Sequence, residues 1–214
     1  MAGVKKRSYD MANRSRLAAD TRRRVVEAAS RLFLRHGYAA TSMNAIAAEA
    51  GVAVQTVYAS MKTKRDILEK VIQLTVRGEE DDVPIAASTR WRQMEAEADA
   101  RAKLAMFARI HREICDREAR LFVVLESAAA VDADTEPLLR DKERFRYEDQ
   151  TRVARSLWRQ GQLRNGLPVR KASDIIWALA SERVYLALVQ ERGWSIEAYE
   201  TWLTDQLTGA LLPV

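Results

Sequence analysis

The sequence predicts an all-α fold, and three observations predict it. Glycine and proline are few, 8 and 4 in 214 residues, so long unbroken helices are sterically open to most of the chain. No segment alternates apolar and polar residues between turn signals, as half-buried strands would. Apolar residues instead recur at helical spacing from Val25 almost to the C-terminus. The architecture expected is an N-terminal three-helix helix-turn-helix domain, then a helical ligand-binding and dimerisation domain, about nine helices in total. The expected boundaries are a flexible basic arm over 1–18, the helix-turn-helix domain over 19–64 and the all-helical body over 65–214.

Each element follows from local pattern. The first helix is expected from about Ala19 to His36, where Val25, Ala28, Ala29, Leu32 and Phe33 form one apolar face, and Gly37 stops it. Ser42 reads as the N-cap of a short helix from Met43 to Glu49, with Met43, Ile46, Ala47 and Ala50 inward. Ala50-Gly51-Val52 is a tight turn. A third helix covers about Val54 to Ser60 and buries Val57. A fourth runs from Lys64 to about Arg77, with Ile67, Leu68 and Val71 inward and Ile72 or Leu74 completing the face. The acidic, Pro-containing stretch GEEDDVPIAASTR at 78–90 reads as a connector. Helical periodicity resumes near Thr89 and is expected as separate runs over 101–116 and 118–130, then 135–161. A loop over Gly161 to Pro168 precedes helices over 171–192 and 195–211, parted by Gly193-Trp194-Ser195.

Composition narrows the function. A hydrophobic content of 48% supports a packed core rather than disorder. No stretch approaches the 18 or so apolar residues of a membrane span. The basic start has no apolar segment behind it and does not read as a secretory signal, so a cytoplasmic location is expected. The single cysteine, Cys115, forms no intrachain disulfide. The charge is asymmetric. Residues 1–64 hold 12 Lys and Arg against 4 Asp and Glu, while residues 65–214 hold 23 against 26. A basic head on a slightly acidic body points to a polyanion as the head's partner.

Three helices within about 45 residues, the last two joined by a glycine turn, suit a DNA-reading device. Gly51 permits the sharp turn, Ala47 and Ala48 allow close helix crossing, and Val52 and Val57 fill a small core. The other face of the third helix then points outward. Gln55 can pair with an adenine edge, Thr56 and Ser60 can bond phosphates or bases, and the methyls of Val54 or Ala59 can meet a thymine methyl. Tyr58 flanks this face. Lys62 and Lys64 follow as phosphate-reaching cations. Ser42 sits at a helix N-terminus that can receive a phosphate, and Arg22, Arg23 and Arg24 extend the positive surface.

These residues resemble the DNA-binding domain of the TetR family of bacterial transcriptional regulators. The resemblance rests on Leu32-Phe33, Gly37-Tyr38, Ser42, Ile46-Ala47, Ala50-Gly51-Val52, Thr56-Val57-Tyr58, Lys64 and Leu68, and covers about residues 20–70. Two departures stand out. Ala53 occupies a position where the family often has a capping serine, whose loss costs about 1 kcal/mol, and Met61 replaces the usual phenylalanine.

The resemblance implies a body that binds a small-molecule effector and forms a homodimer through its last two helices. Ile175, Leu179 and Val184, with Trp202, Leu203 and Leu207, make those helices apolar on more than one face, which calls for a second partner surface. Pocket candidates on the surrounding helices are Phe107, His111, Cys115, Leu125, Trp158, Trp177, Glu182 and Tyr185, a mix that suits a small, largely apolar effector. The function expected is a sequence-specific DNA-binding regulator, a repressor released from a palindromic operator by that effector. The alternatives are a DNA-binding regulator without an effector and an all-helical enzyme. Two histidines, one cysteine, no glycine-rich phosphate loop and no metal-ligand spacing speak against catalysis and against a metal or cofactor. An acid pair for hydrolysis would have to come from Glu113, Asp116 and Glu118.

Overall fold

The computed structural model describes residues 2–77 and 88–213, so most of the expected connector at 78–90 lies outside the described residues. The chain forms two units, Met1–Leu74 with Val124–Glu136, and Thr75–Val123 with Pro137–Val214. The described residues are helical in both.

In the first unit, α1 spans Ala2–Ala40. It begins well before the expected Ala19, because residues 4–36 contain neither glycine nor proline to stop it. Its inward face is the predicted one: Val25, Ala28, Ala29, Leu32 and Phe33 are all buried, and Val26 joins them. Regular helix ends at Gly37, where φ 78° and ψ 169° define a conformation that a β-carbon would strain. The chain turns there and drops Tyr38 into the core at 3% exposure. Thr41 Oγ1 donates to the Gly37 carbonyl (2.8 Å) and holds the turn.

Helix α2, Met43–Ala50, starts at Ser42, whose Oγ accepts from the Ala45 amide at 3.1 Å. Ile46, Ala47 and Ala50 are buried as expected. Met43 is only half-buried and Ala48 faces solvent, so the close crossing rests on Ala47 and Ala50 alone. Gly51 takes φ 64° and ψ 41°. Its amide donates to the Ala48 carbonyl and that of Val52 to Ala47, at 3.1 and 3.0 Å, the paired bonds of a Schellman ending. Arg24 binds the same turn, donating to the carbonyls of Ala50 (2.6 Å) and Gly51 (3.2 Å).

Helix α3 is Val54–Ser60 and has no side-chain cap at Ala53, as its methyl requires. Helix α4, Lys64–Arg77, opens with a reciprocal cap: the Thr63 amide donates to Asp66 Oδ2 and the Asp66 amide to Thr63 Oγ1. Ile67, Leu68 and Val71 are buried; Ile72 is half-buried and Leu74 exposed, which settles the fourth inward position. The stretch Val124–Glu136 belongs to this same unit, with Val124, Leu125, Ala128 and Thr135 buried.

The second unit contains α5 (Thr89–Ala96) and most of α6 (Ala100–Val131) and α7 (Glu136–Arg159). It also contains α8 (Val169–Leu179), α9 (Glu182–Tyr185), a π-helical turn over Leu186–Glu191, and α10 (Ile196–Leu211). Two expectations change here. The runs 101–116 and 118–130 are one helix, since Asp116-Arg117-Glu118-Ala119-Arg120 contains no breaker. The single helix expected over 171–192 is broken after Leu179. Ala180 leaves helical geometry (φ −93°, ψ 74°), and its carbonyl accepts instead from Gln150 Nε2 (2.8 Å) and Arg146 Nη1 (2.9 Å). Ser181 Oγ then caps a new start by accepting from the Val184 amide. One core joins these helices, with Trp91, Leu104, Phe107, Leu157, Ile176 and Tyr199 at its centre.

Gly51 combines a positive φ with a close neighbour. A β-carbon there would lie 3.1 Å from Arg24 Nη2 on a backbone whose positive φ costs an L-residue about 1–2 kcal/mol. Gly51→Ala is expected to lower the free energy of unfolding by at least that amount in urea titrations; an unchanged midpoint would show that the turn tolerates a side chain.

Candidate functional site

Helix α3 divides its residues as the sequence suggested. Val57 is fully buried and fixes the inner side, so Gln55, Thr56, Tyr58 and Ala59 point outward and Val54 is half-exposed. Tyr58 is 52% exposed, the large aromatic of this face. Burial of Met61 at 8%, with its amide on the Val57 carbonyl (2.8 Å), anchors the far end. An outward helix of seven residues carrying an amide, a hydroxyl and a phenol can enter a major groove and meet base edges or phosphates.

The remaining DNA candidates separate into outward and inward groups. Arg22, Ser42 and Lys62 are exposed. Ser60 is half-buried and spends its hydroxyl proton on the Val57 carbonyl at 2.9 Å, so it retains only acceptor capacity. Arg24 holds the turn carbonyls. Lys64 also turns inward: its ammonium donates to the Tyr38 carbonyl at 2.9 Å and lies 4.1 Å from the centre of that ring. Partial burial pushes its pKa down, countered by the charge of Asp132. The structure therefore gives Lys64 the role of a clamp on the end of α1.

Sequence reasoning missed the group around that clamp. Tyr38 donates its hydroxyl to Asp132 Oδ2 at 2.8 Å, and Arg65 Nε donates to the Asp134 carbonyl at 3.2 Å. Burial first, then the bond to Asp132, holds the Tyr38 hydroxyl protonated far above its usual range. Glu49 on α2 accepts from both Arg31 and Arg35 of α1, and the Arg31 hydrogen bond leads in lowering its pKa. Partners 94 positions apart in the chain leave no periodic trace in the sequence.

In the body, the candidates Phe107, His111, Cys115, Glu182 and Tyr185 are all buried. Phe107 and His111 stack with ring centres 6.2 Å apart, and Tyr185 meets Tyr199 edge to face at 5.0 Å. Cys115 Sγ lies 3.3 Å from His111 Nε2. Burial lowers the His111 pKa to about 4 and raises the Cys115 thiol, so both are neutral near pH 7 and neither is a poised nucleophile or base. Leu125 belongs to the first unit. Trp158 stands 60% exposed on the outer face of α7. Trp177 is 38% exposed and donates to Glu143. The three acids considered for hydrolysis each hold a partner: Glu113 pairs with Arg90 and Arg112, Asp116 accepts from Tyr185, and Glu118 from Lys142. Among the described residues no group of His, Cys, Asp and Glu is arranged to hold a metal ion, and no helix is long and apolar enough to cross a membrane.

Of the interface candidates, Leu203 and Leu207 lie at zero exposure in the chain's own core. They share the inward row of α10 with Tyr199 and Leu211 at i, i+4 spacing, so this row is core and forms no outward face. Ile175, Leu179, Val184 and Trp202 remain partly exposed against the edge of that core.

The first unit thus has the construction of a helix-turn-helix DNA-binding domain. Residues 25–71 match the family model of the bacterial regulatory proteins of the tetR family, so the chain carries a TetR-family DNA-binding domain. No curated protein matches the sequence. Among solved structures, a transcriptional regulator from Saccharomonospora viridis in complex with choline is similar at 21% identity and TM-score 0.72, over 92% of this chain and all of that one. A TetR-family regulator from Mesorhizobium loti is similar at 18% identity and TM-score 0.68, over 92% of this chain and 98% of that one. The regulator FadR from Bacillus subtilis, in complex with stearoyl-CoA, is similar at 19% identity and TM-score 0.69, over 87% and 97%. At these identities the likeness shows that the chain as a whole has the fold of TetR-family transcriptional regulators.

The two lysines after α3 are separated by their effect on stability. Lys62→Ala is expected to weaken DNA binding alike on all sequences and to reduce the salt slope by about 1, with thermal stability unchanged. Lys64→Ala is expected to lower the melting temperature as well, by removing the Tyr38 clamp. Equal melting curves for the two variants would remove the clamp role.

Proposed function

We infer that this chain is a homodimeric transcriptional repressor that reads a palindromic operator and leaves it when a small, largely apolar effector enters the body. The observation that carries the reading is the division of α3, with Val57 fully buried and Gln55, Thr56 and Tyr58 held outward. Gln55 and Thr56 read base edges, with Val54 beside them, while Tyr58, Ser42 and Arg22 meet phosphates. Two copies would present α3 to successive major grooves about 34 Å apart. The partly exposed Ile175, Leu179, Val184 and Trp202 supply the surface for the second copy. The domain boundaries near residues 18 and 64, a cytoplasmic site of action and the absence of catalysis belong to the same reading.

An effector site in the body is supported by the fold shared with regulators solved with choline and with stearoyl-CoA. Coupling to DNA follows a population shift: the effector favours a conformation whose heads are wrongly spaced for the operator. Most of α4, as far as Leu74, and the Val124–Glu136 stretch belong to the head unit, so either can move it.

Fluorescence anisotropy with DNA flanking the protein's own gene tests the reading. A two-fold symmetric site should bind with a steep negative salt slope, about 0.9 per phosphate neutralised, and Gln55→Ala should alter the base preference at one position of each half-site. Binding indifferent to sequence and symmetry would contradict it.

A further inference from the structure

The second unit buries a group of polar side chains whose hydrogen-bonding capacity is not used up. The helix break at Ala180 turns Glu182 inward at 2% exposure. Its Oε1 accepts from Lys142 Nζ at 2.7 Å, and the same ammonium donates to Glu118 Oε1 at 2.7 Å. Arg146 donates Nη1 to the Ala180 carbonyl and Nη2 to Glu143 Oε2. Four oxygens in this group have no hydrogen-bond partner: Glu182 Oε2, Glu143 Oε1, Gln150 Oε1 and the Tyr199 hydroxyl. Arg146 Nε is likewise without a hydrogen bond and forms an ion pair with Glu182 Oε2 at 3.6 Å, and the Tyr199 hydroxyl can donate as well as accept. Glu182, Gln150 and Tyr199 are each more than nine-tenths buried, where an unpaired polar atom is costly. Acceptors therefore outnumber donors.

Charge runs the same way. Three carboxylates, Glu118, Glu143 and Glu182, share two cations, Lys142 and Arg146. His111, which feels the Glu182 charge, stays neutral because burial holds its pKa near 4. Burial pushes the Glu118 carboxyl up, whereas at Glu182 burial is outweighed by the charges of Lys142 and Arg146, which hold the carboxyl down at about 2, so Glu182 keeps its negative charge. Rings lie alongside: Tyr199 meets Tyr185 at 5.0 Å and His111 at 6.5 Å, and His111 stacks on Phe107. Electron-rich faces beside unspent carboxylate oxygens favour a cation and penalise an anion.

Resting on the effector reading above, the geometry points to a specific class of effector: an apolar or aromatic body carrying one protonated amine. The ammonium donates to Glu182 Oε2 and the Tyr199 hydroxyl, and the body lies against the Phe107, His111 and Tyr185 rings. A carboxylate of the same size meets like charge. A neutral alcohol satisfies one oxygen and leaves the charge excess uncompensated.

Three molecules of one shape separate these cases: 2-phenylethylamine, 2-phenylethanol and phenylacetate. Each is added to the full chain, with the melting temperature and operator release read in parallel. The amine alone is expected to raise the melting temperature and release DNA. Tyr199→Phe, which removes only an unpartnered hydroxyl, should raise the amine concentration needed by about tenfold, and Glu182→Gln by more, in line with loss of a charge-assisted bond. Stabilisation by the alcohol or by phenylacetate in place of the amine would overturn the cationic class while leaving the effector reading intact. No response to the amine up to about 10 mM, the range of the weakest specific binding, would overturn it too. Stabilisation by the amine without operator release would support the site and count against effector-driven release.

Discussion

Tyr38 makes three contacts with three different parts of the head, and the head's geometry depends on them. Its ring packs 5.6 Å from Phe33 at the end of α1. Its carbonyl accepts from Lys64 at the start of α4, and its hydroxyl donates to Asp132 in the turn after α6. All three require the positive φ of Gly37, which ends the regular helix one residue earlier and swings the tyrosine inward. Helix α3 packs against α1 and α2, and the buried Val57 fixes its inner side. A charge-assisted bond and a cation–π contact on one residue contribute on the order of 1–2 kcal/mol, a large fraction of what keeps a small three-helix unit folded.

Much of this was legible in the sequence. The buried row of α1, the Ser42 cap, the left-handed Gly51 and the sidedness of α3 are local properties, each set by residues within four or five positions. Propensity and periodicity report such features well. Lys64 shows the limit of that reasoning. A lysine after a reading helix looks like a phosphate contact, but its ammonium is directed by a carbonyl 26 positions earlier. Arg24 is similar, since only the folded turn presents it with two carbonyls. The break inside 171–192 could not be read from residues that are all acceptable in a helix. It exists because Gln150 and Arg146, on another helix, satisfy the freed Ala180 carbonyl.

The body sets packing against function more openly. Its α10 gives Leu203 and Leu207 to the core, and the edge residues Ile175, Leu179, Val184 and Trp202 stay partly uncovered. Beside them, the chain keeps an ion-paired group in the interior with oxygens unspent. Replacing such a group with apolar side chains often stabilises a protein, and the effector class proposed above gives its unpartnered oxygens a role.

Val124–Glu136 and the helices of the head form one unit, tied through Tyr38. A double-mutant cycle with Tyr38→Phe and Asp132→Asn, read as unfolding free energy in urea, tests it most directly. A coupling of about 1 kcal/mol or more is expected, as for a hydrogen bond to a charged acceptor. Additivity within about 0.3 kcal/mol, the usual result for independent sites, would contradict it.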